Sequence, residues 1–235
     1  MPTKRTNNGL TSTNRGHSSK TTSGASAGVK PAAAAAAVQR ALRGLSAGAA
    51  TGADRATAEL TERAASEGLL DIAYASLELP VGRVLVASSP RGLLRVSFPN
   101  HSADEVLAEL AASVSPRILE APERLDSVRR ELDEYFSGKR TDFDLALDWR
   151  LTKGFRRRVL RATARIPYGE TVTYADVARS AGSPRGYRAA GSALGANPIP
   201  LVVPCHRVLR AGGALGGYGG GLDVKERLLS LEGAR

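Results

Sequence analysis

The chain has 235 residues, 42% of them hydrophobic and 24% charged, with a formal net charge of +10. This length allows one or two domains of ordinary globular composition, and no apolar run reaches the length of a membrane-spanning helix. A single cysteine, Cys205, excludes a disulfide framework and a multi-cysteine zinc site, and points to a reducing, intracellular compartment.

The charge is unevenly placed. Residues 1–50 carry seven Lys/Arg and no acid (+7), residues 51–150 carry 12 against 18 (−6), and residues 151–235 carry 14 against 5 (+9). An acidic middle followed by a basic last third points to polyanion binding by the C-terminal segment, which also holds the thiol. The first 55 or so residues are rich in Ser, Thr, Gly, Ala and Asn, and read as a disordered basic tail with a helix near Ala32 to Leu45. A solvated tail is the simplest account, with a transit peptide or a DNA-holding arm as alternatives.

Three short strands follow, Ala73 to Glu78, Gly82 to Ser88 and Gly92 to Phe98, broken at Pro80-Val81-Gly82 and Pro90-Arg91-Gly92. Helical periodicity marks Ala103 to Val114 and Glu123 to Phe136, the latter with Leu125, Val128, Leu132 and Phe136 on one stripe. Phe143, Leu145 and Leu147 alternate with acids as a further strand. Nothing in this segment carries chemistry.

From Lys153 the character changes. Phe155, Val159, Ala162 and Ile166 form an apolar stripe, and five arginines, Arg156, Arg157, Arg158, Arg161 and Arg165, lie mainly off it. Pro167-Tyr168-Gly169 stops that helix. Thr173 then caps a short helix through Ala181 with Asp176 in capping-box position. Ser183-Pro184 is expected to start another, running to Ala196. Two short helices joined by a tight turn make a helix-turn-helix pattern, and Arg188-Ala-Ala-Gly-Ser-Ala-Leu-Gly-Ala196 is small enough in bulk to let its backbone lie close to a partner.

The stretch that concentrates chemistry is Ile199-Pro-Leu-Val-Val-Pro-Cys-His-Arg-Val208. A thiol is a nucleophile only as thiolate, and His206 and Arg207 can take its proton or favour its anion. A lone cysteine is as often a small buried hydrophobe, but Pro198, Pro200 and Pro204 stiffen this segment and hold the thiol at the end of a non-helical stretch.

Pro204-Cys205-His206-Arg207-Val208, preceded by Asn197-Pro198-Ile199-Pro200 and followed by Gly216-Gly217-Tyr218-Gly219-Gly220-Gly221-Leu222, resembles the O6-alkylguanine-DNA alkyltransferases, from about Phe155 to Gly233 and more weakly back to Asp71. The resemblance implies an α+β chain in three parts: a disordered basic tail (1–65), a small mixed α/β, ribonuclease H-like domain (66–150), and a helical domain with the helix-turn-helix and cysteine loop (151–235). It implies DNA repair by direct reversal: irreversible, single-turnover transfer of an alkyl group from O6-alkylguanine in double-stranded DNA to Cys205. O4-alkylthymine is left open as a substrate. No cofactor, metal or membrane is expected, and the expected setting is a monomer in a bacterial-type cytoplasm, acting at the nucleoid.

By the same resemblance, His206 takes the thiol proton through a water, Glu232 orients His206, and Asn197 ties the recognition helix to the cysteine loop. Tyr174 displaces the phosphate beside the target and hydrogen-bonds N3 of the flipped base, and Arg188 fills the gap. Tyr218 lines the pocket, the Gly219 N–H serves O6, and the carbonyls of Cys205 and Val208 hold the exocyclic amine. Ala189, Gly191 and Pro200 complete the residues expected at DNA or lesion. Two positions depart from the family pattern: Tyr187 stands where small residues are usual, and Gly219 where Ser is common. A binding-only relative would lack the cysteine, a cysteine hydrolase would turn over, and a simple repressor would need neither Cys205 nor Glu232.

Overall fold

The structure, a computed structural model, describes residues 67–235 continuously, together with Gly52, Arg55, Ala56, Glu59 and residues 61–64. The expectations placed on residues 1–51, the basic tail and the helix near Ala32 to Leu45, lie outside the described residues. Residues 61–64, assigned to the tail's end, are helical, and Thr61 is buried.

Three strands, β1 (Ile72–Leu79), β2 (Gly82–Ser89) and β3 (Gly92–Ser97), form an antiparallel meander. Helix α1 (Ala103–Ser113) leads to β4 (Ile118–Glu120), which pairs parallel to β1, so the sheet order is β3-β2-β1-β4. A three-residue edge strand carries too little pattern to be read from sequence, and β4 was not expected. The side-chain period of two sends alternate strand residues to opposite faces. Ile72, Leu85, Ala87 and Leu94 meet Val106 and Leu110 of α1 on one face. Ala75, Leu77, Leu79, Val84, Val86, Leu93 and Val96 face the other way, into the main core.

The helix expected over Glu123 to Phe136 is two elements: a 3-10 turn at Pro122–Leu125 and then α2 (Asp126–Phe136), because Pro122 sets a tight first turn that ends at Leu125, the first residue of the apolar stripe, whose φ of −113° is not helical. The strand expected at Phe143 to Leu147 does not form a ladder. Leu147 makes one isolated parallel bridge to Leu93, with Leu93 N–H donating to the Ala146 carbonyl at 2.8 Å and Asp148 N–H to the Leu93 carbonyl at 2.8 Å. Phe143, Leu145 and Leu147 alternate because they pack on the main core, without a second strand to extend the pairing.

Four helices follow: α3 (Gly154–Thr163), α4 (Tyr174–Ser180), α5 (Tyr187–Gly195) and α6 (Leu222–Leu231). The capping box at the head of α4 is formed, with Asp176 N–H donating to Thr173 Oγ1 at 3.2 Å and Thr173 N–H to Asp176 Oδ2 at 3.0 Å. The start of α5 differs from expectation. Ser183 to Gly186 close a turn, Gly186 N–H to Ser183 carbonyl at 2.8 Å, and the helix begins at Tyr187 with Gly186 as its cap residue. Pro184 fits a turn position as well as a first helical turn, and local sequence cannot choose between them.

Val159, Leu160, Val177, Ala190, Leu194, Ile199, Leu201, Val203 and Leu228 join the sheet's inner face and Leu132 in the main core. The meander and the helical part therefore share one apolar interior, and a Leu132→Ala cavity would destabilise both, by about 2–5 kcal/mol. Among the described residues no helix is long and apolar enough to cross a membrane.

Candidate active site

The segment from α5 to Val208 is non-helical until Cys205–Arg207 form a single 3-10 turn, followed by β6 (Val208–Leu209), which pairs parallel with β5 (Val172–Thr173) just ahead of α4. Leu201 has φ of +72°, a left-handed conformation that a branched side chain adopts only when held there. Its side chain is fully buried, and Val203 N–H closes back on the Ile199 carbonyl at 2.9 Å. Packing thus fixes the chain reversal that presents the cysteine.

Cys205 is 7% exposed. Asn197 Nδ2 donates to its Sγ at 3.2 Å and to the Val203 carbonyl at 2.9 Å, while Asn197 Oδ1 accepts from Ile199 N–H at 3.0 Å. One side chain therefore locks the end of α5 to the thiol loop. Burial pushes the thiol pKa up to about 11, against the Asn197 hydrogen bond and the nearby Lys225 charge, so the resting group is a thiol at neutral pH.

Behind the thiol lies a buried polar cluster. His206 Nε2 is 2.8 Å from Glu232 Oε1; Arg207 reaches both carboxylate oxygens, Nε to Oε2 at 2.8 Å and Nη2 to Oε1 at 2.9 Å; and Tyr135 Oη donates to Oε1 at 2.7 Å. Arg207 also donates to the Ile166 carbonyl. Burial alone would raise the Glu232 carboxyl, but the hydrogen bonds from His206 and Arg207 outweigh it and hold its pKa at about 2. Burial lowers the His206 pKa although Glu232 pulls the other way. The two directions agree if Arg207 supplies the cation and the imidazole is neutral: an ionised carboxylate only accepts, so Nε2 carries the hydrogen. Nδ1 is then a lone pair, and it has no protein partner.

A cleft of about 770 Å³, which Cys205 itself does not line, is bordered by Thr173, Tyr174, Tyr187, Arg188, Gly191, Arg210 and the glycine loop 216–219, among others. Tyr174 is half-buried within it. Burial first, and the neighbouring Cys205 next, raise its hydroxyl pKa. A Cβ on Gly216 would stand 2.1 Å from Tyr174 Oη, so only glycine leaves room for the ring. Tyr218 lies edge-on to His206, with ring centroids 6.2 Å apart, and its buried hydroxyl has no protein partner. Arg188, Ala189 and Gly219 are exposed, Gly191 is half-buried, and Pro200 and Val208 are buried. Most of the expected residues therefore fall into two sets, a buried network of Asn197, Cys205, His206 and Glu232 and a cleft lined by Tyr174, Arg188, Gly191, Tyr218 and Gly219; Ala189 and Val208 do not line that cleft, and Pro200 lines a separate pocket with Asn197 and Gly219.

The chain is 40% identical over 161 residues to the methylated-DNA-protein-cysteine methyltransferase of Methanosarcina acetivorans, an alignment covering 68% of this chain and 98% of that one. The chain belongs to the methylated-DNA-protein-cysteine methyltransferase family. Two domain families agree with this assignment: the 6-O-methylguanine DNA methyltransferase ribonuclease-like domain matches residues 72–149, and the DNA binding domain of the same family matches 154–234. The methyltransferase of Mycolicibacterium paratuberculosis is 51% identical over 113 residues, 48% of this chain and 68% of its own. Among solved structures, the O6-methylguanine methyltransferase of Mycobacterium tuberculosis superposes with a TM-score of 0.60 at 35% identity, covering 70% of this chain and 94% of that one.

Several residues at this methyltransferase site were not legible in sequence. Lys225 is fully buried and donates from Nζ to the Val208 carbonyl at 2.6 Å, and burial lowers its pKa to about 8. Its place three and four residues before Leu228 and Leu229, on the buried face of α6, was the available signal. Tyr135 joins the shell of Glu232, and Arg207, expected to favour the thiolate, pairs with Glu232 instead, because its guanidinium is held by the buried carboxylate. From the sheet side, Asn100 Nδ2 donates to the Gly219 carbonyl at 2.8 Å, and the Phe98 ring lies 5.5 Å from that of Tyr218. A Cβ on Gly220 would come within 2.9 Å of the Phe98 ring. Gly220→Ala should therefore push the glycine loop off Phe98 and slow reaction at the thiol at least tenfold with little loss of Tm. A second change, Phe98→Leu, should restore part of the rate; single-turnover kinetics of both variants check this.

Proposed function

We propose that this protein repairs DNA by direct reversal, moving the alkyl group of O6-alkylguanine in double-stranded DNA onto Cys205 once per molecule. The observation that carries the reading is the buried His206–Glu232 pair next to the buried Cys205, with Tyr174, the cleft residue whose hydroxyl feels the Cys205 sulfur, and Arg188 lining one cleft. A base inside a duplex is out of reach of a thiol 7% exposed, so the target must leave the stack, at a few kcal/mol that a damaged pair reduces. Basic residues at the cleft, Arg188 and Arg210, suit the phosphates alongside.

The step is a displacement at the alkyl carbon. The Sγ–C bond forms, the C–O6 bond breaks, and its electron pair stays on guanine. The thiol proton passes through a water to His206 Nδ1, whose lone pair is fixed by the Nε2 hydrogen bond to Glu232. Departing guanine takes up one proton, balancing the one the thiol loses. Hydrogen bonds from Tyr174 to N3 and from Gly219 N–H to O6 stabilise the charge that develops on the leaving group, and Asn197 steadies the sulfur. The carbonyls of Cys205 and Val208 take the exocyclic amine; Ala189, Gly191, Pro200 and Tyr218 shape the pocket and groove contact. The thioether has no second nucleophile to release it. A monomer acting in the cytoplasm fits this one-shot chemistry.

Intact-protein mass spectrometry after incubation with O6-methylguanine duplex tests the reading. The expected result is a gain of one methyl group, mapped to Cys205. More than one repair event per molecule, or a label elsewhere, overturns it. Arg188→Ala should lower the ratio of the duplex rate to the free O6-benzylguanine rate by about tenfold or more, since its role is in holding the opened duplex. Equal losses on both substrates would place Arg188 in support of the pocket.

A further inference from the structure

Tyr187 opens α5 and is 48% exposed. Of the exposed large hydrophobic side chains among the described residues, Leu69, Tyr187 and Leu222, it alone lines the cleft. An exposed aromatic ring is unremarkable by itself. This one stands directly before Arg188, whose guanidinium lies 5.7 Å from its ring centroid. At an exposed site such a contact is worth about 0.5–1 kcal/mol, enough to favour one resting position of the arginine and weak enough to be given up for a better partner. The ring is not needed for the fold: it belongs to neither apolar core, and the start of α5 is closed by the Ser183 to Gly186 turn.

A flat apolar face with a polar tip, paired with a cation at the mouth of a cleft that also holds Arg210, matches a nucleobase next to its phosphate. Base stacking on an aromatic side chain is worth about 1–3 kcal/mol per base and tolerates any base. We propose that Tyr187 is a stacking residue for the repair reaction: as Arg188 leaves its ring to enter the gap, the ring stacks on the base flanking that gap, so that the duplex is held open by a wedge of two consecutive side chains. The proposal rests on the direct-reversal reading and adds a residue to it. The cleft is thereby specific for duplex DNA through Tyr187 as well as Arg188.

The test measures single-turnover methyl transfer from a lesion duplex and reaction with free O6-benzylguanine, together with the fluorescence of 2-aminopurine placed beside the lesion. Tyr187→Ala should lower the duplex-to-free-base rate ratio about tenfold or more and reduce the quenching that stacking imposes on the 2-aminopurine, and Tyr187→Phe should restore both. A duplex rate for Tyr187→Ala equal to or above the wild-type rate would overturn the proposal, since the ring would then be an obstacle. So would a Phe variant as impaired as the Ala variant, which would assign the role to the hydroxyl. The wild-type arm separates the two failures: a wild-type protein that takes no methyl group from duplex overturns the direct-reversal reading and this proposal together.

Discussion

Cys205→Ser should take no detectable methyl group from O6-methylguanine duplex, while its affinity for the lesion duplex stays close to that of the wild type. The hydroxyl is a far weaker nucleophile, and a local proton acceptor tuned to a thiol does not make it an alkoxide. The substitution removes little else. The side chain is 7% exposed and nearly isosteric, and Asn197 Nδ2 can donate to the hydroxyl as it does to Sγ. Stability should therefore change by no more than about 1 kcal/mol. Mass spectrometry for the label and fluorescence anisotropy for binding measure the two quantities separately. Loss of both would mean that Cys205 shapes the site; retained transfer would move the acceptor to another residue.

Glu232→Gln should have the next largest effect, on rate and on stability at once. With the thiol pKa at about 11, each pH unit below that value removes a factor of ten in free thiolate, so an enzyme without its relay should gain about tenfold in rate per unit as pH rises. The wild type, with His206 taking the proton, should show a flatter profile. His206→Ala should give the same steep profile, and the double variant should be little worse than either single one, because residues acting as a unit are not additive. Additive losses with no recovery at high pH would assign both residues to the fold alone. The stability effect has its own signature. Removing the carboxylate leaves Arg207 charged and buried without its partner, a change that typically costs about 3–5 kcal/mol.

The pH dependence of stability follows from the same carboxylate. Its folded pKa of about 2 lies below the ordinary 4.5, so its contribution is fully present above 4.5 and is lost as pH falls from 4.5 towards 2. The shift corresponds to about 3 kcal/mol. Burial lowers the His206 pKa in the folded state, which acts in the same direction: stability is present above the ordinary histidine range and lost on acidification. Denaturant melts between pH 7 and 3 should show a steeper fall below pH 4.5 for the wild type than for Glu232→Gln, which keeps only the fall from Asp71, Asp148 and Asp176, carboxyls that also lie below their ordinary pKa.

How far the sequence could be read depended on whether a feature was local. The meander was legible because Pro80-Val81-Gly82 and Pro90-Arg91-Gly92 punctuate runs whose alternation matches a pleated strand. The capping box of α4 was legible because both of its partners lie within four residues. Residues 143–147 misled for the converse reason: alternation records which side chains are buried, and a ladder also needs a neighbouring strand, which only the packed chain can supply. The head of α5 was misplaced because Ser-Pro suits a turn and a helix start equally.

The same division holds at the site. Sequence alone singled out the candidate nucleophile, since Cys205 is the one thiol in the chain and follows a stretch that Pro198, Pro200 and Pro204 keep out of an α-helix, and it determined the basic character of the part that holds it. Tertiary structure decided everything that depends on burial and on side chains distant in the chain. It brought Tyr135, Arg207 and His206 onto one carboxylate, which fixes the tautomer of the imidazole and the charge of the cluster. It set Phe98 and Asn100 against a glycine loop more than a hundred residues away, and turned Lys225 inward onto the Val208 carbonyl. A pattern of residue types records what each side chain can do, whereas pKa, tautomer and reach are properties of the surroundings, and those exist only once distant segments have excluded water together.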